Sequence, residues 1–218
     1  MAIKLVGFDW DGTLVKMPAK YSWRIIDTTL GCTGEGDAIA EKYKHNDVSY
    51  LDWCRQCVEL YKEFGLTEKM LREIVDRNVT PHKGALETIG ELKSRGIKTG
   101  IISGGMYNMY EYASRKFGLH VDYVNFAATL KFDKGGRLVG GEYKEDDFDG
   151  KLRVLKDYCK KADATLGETL YVGDSNNDIP VFEAAAGIAF SSDSEELKRR
   201  AKHVIKGDDL REILKYVT

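Results

Sequence analysis

Ile3-Lys4-Leu5-Val6-Gly7-Phe8-Asp9-Trp10-Asp11-Gly12-Thr13 is the stretch that decides the fold. Residues 3–8 are apolar and β-branched and read as a buried strand. The strand runs into an acidic turn, and period-two alternation places Asp9 and Asp11 on one side with Trp10 opposite. Far downstream, from Pro81 onward, helical and extended stretches alternate. A helix over 85–95 stops at Gly96, a strand covers 97–102, and a helix over 107–117 stops at Gly118. Residues 122–130 are extended, and 131–143 form a hairpin about Asp133-Lys134-Gly135-Gly136. A helix over 152–161 precedes a strand over 169–172. A helix over 179–186, a strand over 187–190, a helix over 195–202, a strand over 203–205 and a last segment over 210–216 finish the chain. Such alternation implies an α/β fold, with a doubly wound and mainly parallel sheet covered by helices on both faces.

Between the first strand and Pro81 the character changes. Trp23, Ile26 and Leu30 recur at helical spacing, as do Tyr50, Trp53, Cys54, Cys57, Leu60, Tyr61 and Phe64, and then Met70, Leu71, Ile74 and Val75. No strand is evident between 16 and 80. The expected organisation is a Rossmann-like core of residues 1–16 and 80–218, with a helical cap of three or four helices, residues 17–79, inserted after the first strand. The aromatic stripe of the insert is expected to form the insert's own core, with a cap also able to offer a few aromatics to the substrate. The two connections, near 16–20 and 78–83, suit a cap that rocks over the core.

Composition narrows the function. A chain of 218 residues suffices for one core and a small insert, and a net charge of −2 gives no basic excess for nucleic acid. The apolar N-terminal run is broken by Lys4 and is too short for a signal peptide or membrane span, so the expected compartment is the cytoplasm. Cys54 and Cys57 have C-x-x-C spacing, but no second pair completes a zinc set, and a helical pattern surrounds them, so they read as packing thiols. His45, His82, His120 and His203 are scattered without ligand spacing and read as surface or structural residues.

Ligands of an open parallel sheet bind beyond the carboxyl ends of its strands. The first strand ends in Asp9, Asp11 and Thr13, the 97–102 strand in Ser103-Gly104-Gly105, and the 169–172 strand in Gly173-Asp174-Ser175-Asn176-Asn177-Asp178. Lys151 opens a helix beside them. Neighbouring carboxylates repel unless a cation or proton intervenes, and Mg2+, which takes hard oxygen ligands, suits such an edge when phosphate also arrives. Ser103, the backbone N–H groups around Gly104, and Lys151 supply what a phosphoryl group needs opposite the metal. One carboxylate can serve as a covalent nucleophile and a second as general acid and base. Competing chemistries lack their parts. There is no G-x-x-x-x-G-K-[ST] loop, no G-x-G-x-x-G after the first strand, and no G-x-S-x-G elbow. Asp174, Asn176 and Asp178 begin like a calcium loop, but Ile179 and Ala185 stand where that loop requires Gly and Glu.

Together these residues resemble the haloacid dehalogenase superfamily, and within it the phosphoserine phosphatase-like branch, over nearly the whole chain. The resemblance implies Asp9 as nucleophile and Asp11 as general acid and base. It implies Mg2+ held by Asp9, by the backbone carbonyl of Asp11, and by Asp174. It implies phosphate held by Ser103, Gly104, Lys151 and Asn177, with Thr13 and Asp178 in support. Two departures bear on the substrate. Where the branch has a glutamate for an amino group this chain has Pro18, and where it has a cap arginine for a carboxylate it has Cys57. Arg24, Arg55 and Glu35 are the nearby candidates for replacement contacts. The expected activity is hydrolysis of a small phosphorylated metabolite other than phosphoserine, without nucleic acid or membrane as partner. A phosphomutase would use the same nucleophile. A receiver-like signalling domain would use an aspartate, Mg2+, a hydroxyl residue and a lysine, but needs neither the insert nor the D-x-D pair.

Overall fold

A computed structural model of the chain describes residues 2–144 and 149–217. Met1 and Thr218, the outer bounds of the expected core, lie outside the described residues. Nine strands and nine α-helices occur among the described residues. A seven-stranded sheet runs in the order β6-β5-β4-β1-β7-β8-β9. Its strands are β1 (Leu5–Phe8), β4 (Lys98–Met106), β5 (Tyr123–Phe132), β6 (Leu138–Tyr143), β7 (Thr169–Gly173), β8 (Ala186–Phe190) and β9 (His203–Ile205). All neighbours pair in parallel except β5 and β6, the two arms of the expected hairpin. β1 lies centrally between β4 and β7, so its C-terminal turn sits where their ends converge.

The strands are apolar on both sides because both faces are covered. Leu5 belongs to a core with Val154, Leu155, Tyr158, Tyr171 and Phe182, from α7 (Asp149–Lys161), β7 and α8 (Ile179–Ala184). Val6 and Phe8 belong to the opposite core, with Leu92 of α5 (Ala85–Ser94) and Met109 and Ala113 of α6 (Tyr107–Phe117). Gly7 is where the first face comes closest: a Cβ there would lie 2.6 Å from the Tyr171 ring.

Residues 17–79 supply α1 (Ser22–Leu30), α2 (Thr33–Lys44), α3 (Tyr50–Glu63) and α4 (Glu68–Asn78). Gly31, at φ 74°, ends α1, and Ser49 and Thr67 side chains accept N–H bonds at the starts of α3 and α4. α2 carries Gly34 and Gly36 and buries only Gly36 among its own residues, which is why no apolar stripe announces it. The aromatic stripe does not close a separate core. Trp23, Ile26, Cys54, Tyr61 and Leu71 join the same apolar cluster as Phe8, Trp10 and Met106. The hairpin braces the insert from the side, since the Glu68 N–H donates to the Gly136 carbonyl at 2.8 Å and the Leu138 N–H to the Leu66 carbonyl at 3.2 Å.

Two differences from the sequence reading occur at the insert's base and at β4. The connections pair with each other as β2 (Val15–Lys16) and β3 (Thr80–Pro81), strands of two residues that leave no periodicity to read. β4 continues to Met106 rather than ending at 102, and its register with β5 shifts between Ser103 and Met106. That irregularity bends the Ser103-Gly104-Gly105 segment out of the ladder, as bulges do beside functional sites.

Trp10 ties the acidic turn to the core. It is fully buried, with ring centroids 5.4 Å from Tyr110 and 6.0 Å from Phe126. Trp10→Ala is expected to cost about 3–5 kcal/mol of folding free energy, measured by urea unfolding at constant m-value.

Candidate active site

The first strand delivers Asp9 to the sheet edge and the chain then turns sharply. Leu14 and Val15 N–H groups both donate to the Trp10 carbonyl at 3.1 Å. Gly12 carries φ 79°, and a Cβ there would lie 2.3 Å from Asp174 Oδ2, so conformation and space both require glycine. Fully buried Thr13 donates its hydroxyl to Asp174 Oδ1 at 3.2 Å. β7 brings Asp174 to the same edge. The single 3-10 turn Asn176–Asp178 follows, and Asp178 Oδ2 reaches back to the N–H groups of Asp174 and Ser175 at 3.2 and 3.3 Å. Lys151, in the first turn of α7, lies with no exposed surface between these segments. Its Nζ is 2.9 Å from Asp9 Oδ2, 2.8 Å from Asp178 Oδ1 and 3.2 Å from Asn177 Oδ1.

Charge is out of balance here. Asp9, Asp174 and Asp178 each offer an oxygen within 4.8 Å of the others, and Lys151 is the cation in direct contact with two of them. Burial first, and then the charges of Asp178 and Asp174, hold the Asp9 carboxyl well above the usual carboxylate range, against the pull of Lys151. Burial and then the Asp178 charge push Asp174 up to about 7. A divalent cation fits this donor set: hard carboxylate oxygens, excess negative charge, and neither imidazole nor thiolate. The Asp11 carboxylate is not in that cluster, so a metal role for Asp11 rests on its backbone carbonyl alone.

Asp11 is held from the insert. The Ser22 N–H donates to Asp11 Oδ2 at 2.9 Å, and Ser22 Oγ lies 2.6 Å from both carboxylate oxygens. The anion therefore sits at the N-terminus of α1, where backbone N–H groups and the helix dipole favour negative charge. Burial nevertheless raises the Asp11 pKa, opposed by these bonds to Ser22. The Ser103 hydroxyl accepts the Gly105 N–H at 2.9 Å. The Gly104 carbonyl faces the insert and accepts two bonds, from Trp23 Nε1 at 3.0 Å and Tyr50 Oη at 2.6 Å.

A cavity of about 300 Å³ opens above this floor. Asp9, Asp11, Ser103, Gly104 and Asn177 line its base, while Trp23, Arg24, Tyr43, Tyr50, Trp53 and Cys57 are part of its roof. Asp174 faces a neighbouring cleft with Gly12, Lys20 and Ser175. All four cysteines are buried thiols, and burial pushes the Cys57 thiol well up. Of the candidates for substrate contact, Arg24 lines the cavity. Arg55 points away and pairs with Asp52 at 2.5 Å, and neither Glu35 nor Pro18, both exposed, is part of the lining.

Sequence reasoning did not single out Ser22, nor the donor roles of Trp23 and Tyr50. A signal existed for Ser22: a serine opening an apolar helical period is a helix-start residue, and a helix start seeks an anion. Nothing marked Tyr50 and Trp23, since a hydrogen-bonding rim aromatic and a packed one have the same spacing.

Comparison with known proteins adds one family model, two relatives and two solved structures. The family model for haloacid dehalogenase-like hydrolases matches residues 6–183. The phosphoserine phosphatase of Methanocaldococcus jannaschii is 33% identical over 218 residues, covering 98% of this chain and 97% of the relative. That of Campylobacter jejuni subsp. doylei is 31% identical over 221 residues, covering 99% and 100%. A solved structure of a phospho-aspartyl intermediate analogue of phosphoserine phosphatase superposes with TM-score 0.80 at 32% identity, covering 100% of both chains. A substrate-bound phosphoserine phosphatase superposes with TM-score 0.80 at 31% identity, over 100% of both chains. No helix among the described residues is long and apolar enough to cross a membrane.

Removing one partner of a buried ion pair leaves its charge uncompensated. Asp178→Asn is therefore expected to lower folding stability by about 3–5 kcal/mol, read as a shifted denaturation midpoint. Asp52→Asn, which breaks the exposed pair with Arg55, should change it by less than about 1 kcal/mol.

Proposed function

The chain belongs to the haloacid dehalogenase-like hydrolase family as a phosphatase close to the phosphoserine phosphatases, and from that premise we propose that it hydrolyses a small phosphomonoester through a phospho-aspartate at Asp9. The observation that carries this reading is the floor itself. Asp9, bonded to buried Lys151, shares one cavity with an Asp11 that the insert holds in place.

In the first step an Asp9 carboxylate oxygen attacks phosphorus. The new bond is between that oxygen and phosphorus, and the bond that breaks is phosphorus to the leaving oxygen. Asp11 donates its proton to that leaving oxygen, a role suited to a carboxyl whose pKa burial has raised. In the second step Asp11 takes a proton from water as the water oxygen attacks phosphorus. Inorganic phosphate leaves and Asp9 is restored as a carboxylate. Ser103, Lys151, Asn177 and the backbone at Gly104 hold the phosphoryl oxygens, with Lys151 neutralising charge that builds there. Asp9, Asp174 and the Asp11 backbone carbonyl would hold Mg2+, which would supply further charge neutralisation at the phosphoryl group. Thr13 and Asp178 orient Asp174 and Lys151 through the bonds described above. Residues 17–79 act as the cap, with β2 and β3 at its base, and residues 1–16 and 80–218 as the core. Four cysteines kept as thiols support a cytoplasmic setting.

The relatives' shared name favours phosphoserine, but the cavity of this chain favours another substrate. No acidic residue occurs from Gly12 to Ile26, so the segment around Pro18 offers nothing for an ammonium, and Cys57 cannot replace a guanidinium for a carboxylate.

Two outcomes test the mechanism. Asp9→Asn is expected to lower turnover by on the order of 10⁴ or more, measured as phosphate release; near wild-type rates would exclude Asp9 as nucleophile. Exhaustive chelation should abolish turnover and added Mg2+ restore it, while Ca2+ restores little because its larger, looser shell misaligns the nucleophile; full activity after chelation would exclude the metal.

A further inference from the structure

The roof of the cavity differs in kind from its floor. Trp53 is the centre of a continuous aromatic wall, with ring centroids 4.7 Å from Trp23, 5.4 Å from Tyr50 and 5.8 Å from Tyr43. These four rings line the cavity directly above Asp9 and Asp11. The charged roof residues already have partners within the protein. Arg24 Nη2 pairs with Asp37 at 2.5 Å, and Lys44 with Glu41 at 2.6 Å. Asp27 accepts the Tyr61 hydroxyl at 2.8 Å, and Gly36 packs against its carboxylate so closely that a Cβ would lie 2.7 Å from Oδ2.

A carboxylate on the organic group would leave water and find both roof cations, Arg24 and Lys44, already paired with Asp37 and Glu41, and an unpaired charge in such a site is costly. A flat ring loses little by leaving water and gains edge and face contacts with the wall.

We propose that the aromatic roof selects a phosphomonoester whose organic group is flat, ring-bearing and uncharged. This rests on the phosphatase reading of the floor and goes further by naming what the roof accepts. Trp53 is the specificity-determining residue, and Arg24 contributes through its neutralised guanidinium.

The test compares esters that all leave as alcohols, so that leaving-group reactivity does not decide the ranking: pyridylmethyl phosphate, benzyl phosphate, glycerol 3-phosphate and phosphoserine, each with Mg2+ at pH 8. The expected order in kcat/KM puts the two ring-bearing esters first and phosphoserine at least about tenfold below them. Trp53→Ala should narrow that ratio by about tenfold, chiefly through KM of the ring-bearing esters. Tyr43→Ala, farther from the floor contacts, should narrow it in the same direction should Trp53→Ala fold poorly. Phosphoserine equal to or better than the ring-bearing esters would overturn the proposal, as would Trp53→Ala and Tyr43→Ala variants that slow every ester alike. Turnover of none of the four would overturn the phosphatase reading along with it, whereas phosphoserine turnover alone would leave that reading intact.

Discussion

A lysine ammonium with no access to water organises this protein. Lys151 can stay charged there only because Asp9 and Asp178 lie within 2.9 Å of it, and bringing a charge out of water without such partners costs several kcal/mol. Its partners come from chain segments more than a hundred residues apart, the turn after β1 and the turn after β7. The parallel pairing of β1 with β7 is what brings those turns together, and α7 must pack on that face for Nζ to reach them. The charge that stabilises the lysine also exceeds it. With Asp174 in the cluster, carboxylates outnumber the ammonium, and burial leaves water little room to screen the excess. Protons or a cation must make up the difference, which is the electrostatic reason for a metal at this edge.

The insert is coupled to that floor by hydrogen bonds as well as by shared apolar surface. Ser22 fixes Asp11, while Trp23 and Tyr50 together fix the Gly104 carbonyl. A carbonyl that accepts two bonds from one side sets the plane of the peptide it belongs to, so the geometry of the Ser103-Gly104-Gly105 segment depends on where α1 and α3 stand. Lys20, at the insert's edge, also pairs with Asp193 in the loop after β8, although this exposed contact contributes little. Asp11, the Ser103-Gly104-Gly105 segment and the insert's aromatic roof thus form a single geometry, with β2 and β3 as its narrow base.

The sheet was legible because buried strands and glycine-stopped helices leave strong marks: 85–95, 107–117 and 169–172 each lie within a few residues of an observed element, and Gly96 and Gly118 follow their helices at positive φ. The floor residues were legible for a related reason. A carboxylate at a strand end has one place to go, so Asp9, Asp174 and the adjoining Lys151 converge once the sheet is parallel. α2 left no mark because two glycines and a mostly exposed surface give it no apolar period. β2 and β3 are too short for any pattern. The double role of Tyr50, packing against Trp53 and donating to Gly104, depends on the rotation of α3 about its axis, which spacing along the chain does not specify. The merger of the insert's stripe with the sheet core escaped notice for the same reason, since periodicity shows that a face is apolar and not what covers it.

Floor and roof answer to different physics, and this separates the chemistry from the choice of substrate. On the floor, charges are close, buried and incompletely balanced, so each added charge on phosphorus oxygens meets a strong and fixed field. Small displacements there are costly, and few residue types serve. In the roof, Arg24 and Lys44 are paired with Asp37 and Glu41, Asp27 accepts a neutral hydroxyl from Tyr61, and four aromatic rings line the cavity. Selection by such a surface would work through desolvation and shape more than through counter-charge. Such a roof can be rebuilt by exchanging one or two side chains without disturbing Lys151 or the carboxylates below it. On the proposed reading the floor therefore constrains the reaction, while roof residues such as Trp53 and Arg24, outside the charged cluster, select the organic group.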